Sequence, residues 1–261
     1  MSGRTDPTVG LNPVAAGGFA SAAPTYARIR PTYARSSIGE LKQAIGTTGR
    51  VLDVAAGTGI LTGQLARAGL QLIALEPVAE MLSQLQRSLP AVPAARGVAE
   101  HLPFAAGSVD AVVVGTAFHW FDGPAAVAEA VRILRPDGVL ALLWNQRDNS
   151  VDWVRRYGEA LLSERPEGRP YESADWETVV RTASSFGPVE RSSHPNPQPS
   201  SPAALVERAA STSFVADAAP EARDRVLERV RALAATHPDL SGRSQFDLPY
   251  VTELYLWRRS S

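Results

Sequence analysis

Two acidic residues, Asp53 and Glu76, mark the ends of two short apolar runs, with a small-residue loop between them. The first run, Val51 to Val54, opens into Ala55-Ala56-Gly57-Thr58-Gly59 and resumes as an apolar-periodic segment with Ile60, Leu61 and Leu65. Such a pattern predicts a buried strand, a tight turn and a helix start, the layout of a nucleotide-binding βαβ unit. Glycines in the turn permit positive φ and let a ligand approach the backbone where a Cβ would block it. A dinucleotide fingerprint calls for another glycine at position 62, where this chain has Thr62, and no lysine follows Gly59 as a phosphate loop requires. Asp53, at the mouth of the loop, repels a pyrophosphate and attracts an ammonium or sulfonium. At about 4 Å and an effective dielectric near 20, one such pair is worth roughly 4 kcal/mol before desolvation is subtracted. The charges favour a cationic nucleoside.

The second run, Leu70 to Leu75, ends in Glu76-Pro77. An acid at the end of the second strand of a βαβ unit accepts hydrogen bonds from a ribose diol, and a carboxylate is an acceptor only. Pro77 suits the first turn of a helix, where a missing N–H costs little. Val78, Met81, Leu82, Leu85 and Leu89 continue that helix to residue 89.

The elements that must hold these residues follow from the punctuation of the chain. Residues 1–18, rich in Gly, Pro and Ala, read as a loose tail, and 19–48 as a lid with a first helix. Ser36 or Ser37 is the expected cap of that helix, which runs through Ile45 to Gly46. Strands and helices then alternate across a core at 49–149, as a parallel sheet requires. The 150–215 segment breaks the pattern with helical stretches at Trp153–Leu162 and Ala174–Ala183 and with Tyr157, Tyr171, Trp176 and Phe186. It reads as a substrate cap or as an ordinary extra helical layer. Val189 to Arg191 is the expected end of a sixth strand, and Ser192 to Pro202 an extended Pro/Ser-rich loop with few partners. In 216–261, a charged helix over Ala219–Ala235 with a solvated face precedes a β-rich run at Tyr250–Trp257.

The chain resembles a class I S-adenosylmethionine-dependent methyltransferase of the small-molecule type. Val51-Leu-Asp-Val-Ala-Ala-Gly-Thr-Gly59 is similar to the family's first motif and Ala74-Leu-Glu-Pro77 to its second. Gly97 to Phe104, Ser108 to Gly115 and Leu134 to Leu140 resemble the third strand's exit, the fourth strand and the turn into the fifth. Phe19 to Tyr33 with Phe118-His-Trp-Phe-Asp122 is similar to the trans-aconitate-methyltransferase-like branch. The resemblance implies an α/β fold: a doubly wound, seven-stranded Rossmann-like sheet whose last strand is antiparallel between the fifth and sixth, with an N-terminal lid and a helical cap insertion. It implies S-adenosylmethionine as cofactor, whose ammonium and sulfonium suit Asp53. Cofactor contacts are implied at Asp53, Ala55, Gly57, Gly59, Glu76, Pro77, Met81 and Thr116. Many family members have glycine where this chain has Ala55. Where members often carry an aspartate this chain has Val98, so the adenine contact falls to Glu100 or to the Ala99 backbone. A lid tyrosine near the sulfonium maps to Tyr26, and an arginine for the methionine carboxylate to Arg30, with Arg28 as rival.

His119, just past the fourth strand, is the candidate catalytic base or substrate contact. Trp120 and Asn145, at the carboxyl ends of the fourth and fifth strands, are candidate pocket residues. Methyl transfer from a sulfonium rests mainly on in-line positioning, and a base helps only a nucleophile that starts protonated. The expected reaction is methylation of a small-molecule carboxylate, hydroxyl, amine or carbon nucleophile. The alternatives are a fold that binds S-adenosylmethionine without methyl transfer, as scaffold, cyclase or regulator, and a nicotinamide oxidoreductase. Asp247-Leu-Pro-Tyr250 resembles the acid-Pro-Pro-aromatic motif of nucleic-acid amino methyltransferases, but it lies far from the fourth strand and reads as a strand entry.

Composition agrees. Across 261 residues the formal net charge is -1, without a long basic run, so no nucleic-acid footprint is visible. No apolar run approaches bilayer length and the first residues lack the apolar core of a signal peptide, so no membrane partner and a cytoplasmic location are expected. The chain has no cysteine, and His101, His119, His194 and His237 lack metal-ligand spacing. A monomer or homodimer without metal is expected.

Overall fold

The computed structural model describes residues 30–165 and 176–260. Tyr26, Arg28, the 1–18 tail, the lid up to residue 29, Tyr171 and Ala174 lie outside the described residues. Helix α1 (Arg35–Ile45) leads into strand β1 (Arg50–Val54), helix α2 (Ile60–Arg67), strand β2 (Gln71–Leu75), helix α3 (Ala79–Ser88) and the short strand β3 (Ala94–Ala95). Strand β4 (Val109–Gly115) is followed by a 3-10 turn (Phe118–Trp120), helix α4 (Gly123–Ile133) and the long strand β5 (Leu134–Arg147). Then come helices α5 (Asp152–Leu162) and α6 (Trp176–Arg181), strands β6 (Glu190–Pro195) and β7 (Gln198–Ser200), and helices α7 (Pro202–Ala210), α8 (Ser213–Ala216) and α9 (Pro220–Thr236). Strands β8 (Phe246–Leu248) and β9 (Tyr250–Arg258) end the order.

Seven strands form one sheet in the order β3-β2-β1-β4-β5-β9-β6. All neighbours are parallel except β9, which runs antiparallel between β5 and β6. The expected doubly wound sheet with an inserted antiparallel last strand is therefore present. Its central strands are apolar on both faces because helices cover both. Leu52, Val112, Val114, Leu140 and Leu142 face α4, with Ala126, Val127, Ala130 and Ile133. Val51, Ala111, Val113, Ala141 and Leu143 face α1 and α2, with Leu41, Leu61 and Leu65. Asp53 interrupts this pattern from inside the sheet.

Several expectations are corrected. The sixth strand does not stop at Arg191 but runs through Pro195, and Gln198–Ser200 pairs with Phe246–Leu248 in a second, two-stranded sheet. The Pro/Ser-rich stretch is thus partnered, because Asn196 and Gln198 turn inward and are buried. Neither Ser36 nor Ser37 caps α1. The N-cap is Ala34, whose carbonyl accepts the Ser37 hydroxyl at 2.8 Å. Pro77 precedes the N-cap Val78 of α3 and so sits outside the first turn. The charged helix α9 buries Val226, Leu227, Val230 and Ala234 against Trp153, Tyr157, Leu161 and Leu205, so α5, α7 and α9 share one separate core. Trp176 and Phe186 pack into the main sheet core instead.

The turn from β1 into α2 is fitted to α3. Gly59 has φ +89°, and a Cβ there would stand 3.0 Å from Leu85 Cγ and from Leu89 Cδ1. The backbone conformation and the contact both select glycine. Gly59→Ala is expected to lower stability by about 1–3 kcal/mol, read as a shifted urea midpoint. An unchanged midpoint would show that the loop relaxes freely away from α3.

Candidate active site

In the order above, the chain reverses direction of winding between β1 and β4, and ligands of open α/β sheets bind at the carboxyl ends beside such a point. A cavity of about 360 Å³ lies there. Asp53 and the Ala55–Thr58 loop wall it from β1, Gly115 and Thr116 from β4, and Trp144 to Arg147 from β5. Arg30, Tyr33, Leu162 and Tyr250 complete much of the wall.

Asp53 is only 1% exposed. Its Oδ2 accepts the Thr62 hydroxyl at 2.6 Å, while Oδ1 is buried with no hydrogen-bond partner. Burial pushes its carboxyl up from 3.8 to about 7, with the nearby Glu76 charge adding to the rise and the Thr62 bond opposing it. Thr62, the residue that breaks a dinucleotide fingerprint, is the one that anchors this acid. Two non-glycine residues beside it hold left-handed backbone, Ala55 at φ 54° and Thr116 at φ 51°. Each such residue costs about 1–2 kcal/mol, and strain of this kind clusters at functional sites.

Glu76 braces the loop from the neighbouring strand. One carboxylate oxygen accepts Gly57 N–H at 2.7 Å, and the other accepts Val78 N–H at 2.9 Å. Burial raises its pKa against the pull of those two bonds. Its side chain does not line the cavity, though each oxygen keeps a second lone pair for a hydroxyl. Met81 is buried on α3, its sulfur 3.9 Å from where a Gly57 Cβ would stand. Ala99 is buried, and Glu100 accepts Asp122 N–H at 2.9 Å near the start of α4. Pro77, Met81, Ala99 and Glu100 are not among the residues that line the described cavity, though Met81 abuts its wall at Gly57.

His119 lies in the 3-10 turn with its ring 4.7 Å from Trp120 and 5.3 Å from Trp144. Its Nδ1 is buried and unpartnered. Burial, with the Arg30 charge adding, pulls its pKa down to about 4. Neither His119 nor Trp120 lines the cavity, whereas Trp144, against which His119 packs, does. Trp144 stacks in turn on Trp176 at 5.3 Å, and Trp176 meets Tyr255 edge-on at 4.8 Å.

Asn145 lines the cavity, but its amide is committed to structure. Nδ2 donates to Thr32 O at 3.1 Å, and Oδ1 accepts from Thr252 Oγ1 at 2.6 Å and Asn196 Nδ2 at 3.0 Å. Thr32, Tyr33 and Ala34 are further tied through Gln198, Gln64 and Thr252. Tyr33 meets Thr116 Oγ1 with its hydroxyl at 3.1 Å. Sequence reasoning missed Thr62, Tyr33, Trp144, Arg147 and Tyr250 as site residues. Only position was there to find them, since Trp144 and Arg147 flank Asn145 at the end of β5.

A methyltransferase domain model matches residues 52–142. An uncharacterized methyltransferase of Mycobacterium tuberculosis is 40% identical over 203 residues, covering 78% of this chain and 80% of that protein. A solved structure from Anaeromyxobacter dehalogenans, provisionally named a type II methyltransferase, aligns with TM-score 0.69 and 22% identity over 88% of this chain and 97% of its own. The phosphoethanolamine N-methyltransferase 2 of Haemonchus contortus, solved with phosphomonomethylethanolamine and S-adenosylhomocysteine, aligns with TM-score 0.56 and 16% identity over 92% of this chain and 57% of its own. The chain belongs to the class I S-adenosylmethionine-dependent methyltransferases. These matches speak to the family and not to the trans-aconitate-methyltransferase-like branch.

The raised Asp53 carboxyl has a consequence for stability. An acid whose folded pKa exceeds its unfolded value stabilises the fold below the unfolded value, and that contribution is lost as pH rises through the folded value. For Asp53 the loss spans 3.8 to about 7. Asp53→Asn keeps an acceptor for Thr62 and removes the charge. The variant is expected to melt on the order of 5 °C above the parent at about pH 8, with the gap narrowing towards pH 5. A variant that melts below the parent at pH 8 would refute the assignment of a strained buried charge.

Proposed function

We propose that the chain binds S-adenosylmethionine in this cavity and transfers its methyl group to a small-molecule nucleophile. The observation that supports this most is the orphaned Oδ1 of buried Asp53, beside a cavity-lining loop with left-handed backbone at Ala55 and Gly57. A buried acid with a free oxygen fits a cation, and a cavity of this volume fits a small molecule. When bound, S-adenosylmethionine supplies a methyl group on a positively charged sulfur that is already a good leaving group. Asp53 and the loop hold the donor, Gly57 admits it, Gly59 seats the loop on α3, and Glu76 keeps the loop in place while offering its remaining lone pairs to a ribose. Arg30, on the cavity wall, is the candidate for the donor's carboxylate, and its planar fork suits that group. Tyr33 and Trp144 wall the space in which donor and acceptor must align. Sealing them from water supports the in-line geometry on which the rate depends.

His119 enters this proposal as a positioning residue that supports Trp144. A partly buried imidazole with a pKa of about 4 is neutral and takes a proton poorly from a phenol near pKa 10. His119→Gln should keep turnover within about tenfold of the parent from about pH 6 to 9. A loss of about a hundredfold or more, with altered pH dependence, would restore it as the base.

Calorimetric titration with S-adenosylhomocysteine, and with oxidised and reduced nicotinamide cofactors in parallel, tests the proposal. Micromolar binding of S-adenosylhomocysteine alone is expected, and its loss in Asp53→Asn. Binding of the ammonium requires ionised Asp53, so affinity should fall by up to about tenfold per pH unit below about pH 7 and level off above it. Preference for a nicotinamide cofactor, or no binding by folded protein, would overturn the proposal. Consumption of the donor's methyl group in the presence of an acceptor separates methyl transfer from binding alone.

A further inference from the structure

Arg147 ends β5 opposite Tyr250 of β9, and both line the cavity that Asp53 enters from β1. Its guanidinium lies over the Tyr157 ring, 5.7 Å from the centroid. Behind Tyr250, Arg208 of α7 lies over that ring at 5.7 Å, with Nη1 3.5 Å from the phenol oxygen. Among the described residues, no carboxylate lies within ion-pair distance of Arg147 or Arg208. Arg208 Nε is buried with no hydrogen-bond partner. A guanidinium withdrawn from water is costly unless it is paired. Stacking on a ring occupies its flat face and leaves the N–H edge for an anion.

Charge along the cavity is therefore divided. The β1 end carries Asp53, and the β5 end carries Arg147 with Arg208 behind it. The strand order puts one strand, β4, between them, and the register puts Arg147 six residues beyond Ala141, the β5 residue level with Asp53, so their backbones stand roughly 20 Å apart. Tyr157 cannot neutralise the positive end, since burial holds its phenol protonated although Arg147, Arg208 and Arg30 all pull the other way. The cationic donor and Asp53 account for the negative end. An unmatched positive end implies an acidic group on the second ligand.

We infer that Arg147, backed by Arg208 through Tyr250, is a subsite for a carboxylate or phosphate on the methyl acceptor, and that this group is a recognition handle and not the methylated atom. The inference rests on the methyl-transfer reading given above. An oxygen held by a guanidinium has its lone pairs engaged and is a weak nucleophile. The handle also sits at the opposite end from the acid that holds the donor. The acceptor thus carries its nucleophile and its acidic group at separate positions.

The test is calorimetry on the full chain, with and without saturating S-adenosylhomocysteine. The probes are phenylacetate, adipate and phenyl phosphate, each against its neutral counterpart phenylacetamide, adipamide or phenol. The carboxylate and phosphate arms distinguish the two sources of negative charge. At least one acid is expected to bind about tenfold or more tightly than its neutral partner. In Arg147→Gln, shown by its melting curve to be folded, that preference should vanish while S-adenosylhomocysteine affinity stays within about twofold. No acid preference in the parent, or a preference that survives in Arg147→Gln, overturns the subsite. A loss of S-adenosylhomocysteine affinity in the variant also overturns it, by assigning Arg147 to the donor's carboxylate. Failure of the parent to bind S-adenosylhomocysteine defeats the methyl-transfer reading instead, and the acid–neutral comparison on ligand-free protein still decides the subsite.

Discussion

The architecture turns on a single carboxylate placed where none is comfortable. Asp53 sits within β1, flanked by β2 and β4, with apolar cores on both sheet faces. Thr62 satisfies one of its oxygens, and the other is left buried and unpartnered. Glu76 is near enough for its charge to make the ionisation of Asp53 harder still. Two acids that disfavour one another's charge are tolerable where a cation completes the set. The loop between them is held from both sides. It is tied to Glu76 through Gly57 N–H and seated against α3 at Gly59, and it enters left-handed backbone at Ala55, directly after β1.

What surrounds this carboxylate keeps the wall rigid. The segment before α1 is clamped by side chains from four separate elements, with Gln64 from α2, Asn145 from β5, Gln198 from β7 and Thr252 from β9. These bonds sit over the sheet's carboxyl edge and hold Tyr33 against Thr116. On the other side, rings from His119 through Trp144 and Trp176 to Tyr255 pack in series. A site held by packed rings and saturated amides can keep two reactants aligned, which is the main requirement of an in-line displacement.

The β1-loop-α2 unit and the acid ending β2 were legible because apolar runs, glycines and acids are local signals, whereas the antiparallel insertion of β9 was implied only by the family resemblance. Thr62 was visible as a departure from a glycine pattern, but its bond to Asp53 depends on how α2 seats on β1. The Pro/Ser-rich stretch misled because composition describes what prolines do alone. Pairing with β9 and with Phe246–Leu248, far along the chain, made strands of it. The charges of α9 hid a buried stripe at Val226, Val230 and Ala234, whose partners lie in α5 and α7. His119 drew notice through its place after β4. Its burial between two tryptophans, one of them on β5, was not local information.

Local rules are broken unevenly across the fold. Among the described residues, three that are not glycine adopt left-handed backbone. One, Asp137, is exposed in the irregular first stretch of β5, where its register with β4 shifts and aspartate tolerates that conformation. The other two, Ala55 and Thr116, are poorly suited to it and stand at the carboxyl ends of β1 and β4, on either side of the cavity. Asp53, whose buried Oδ1 is unpartnered, lines the same cavity, and so does Arg147, which has no carboxylate partner among the described residues. These features cost stability in the isolated chain, and the Thr62 bond to Asp53 and the Tyr157 ring under Arg147 offset that cost only in part. A fold selected for stability alone would replace them with glycine, asparagine and a neutral side chain. Their concentration around one cavity is understandable if ligands supply the missing partners, a cation for Asp53 and an anion for Arg147. Under the proposed reading, methyl transfer from a sulfonium to an acidic acceptor would bring that pair of charges together, and the ligands that complete the structure would also be the ones that react.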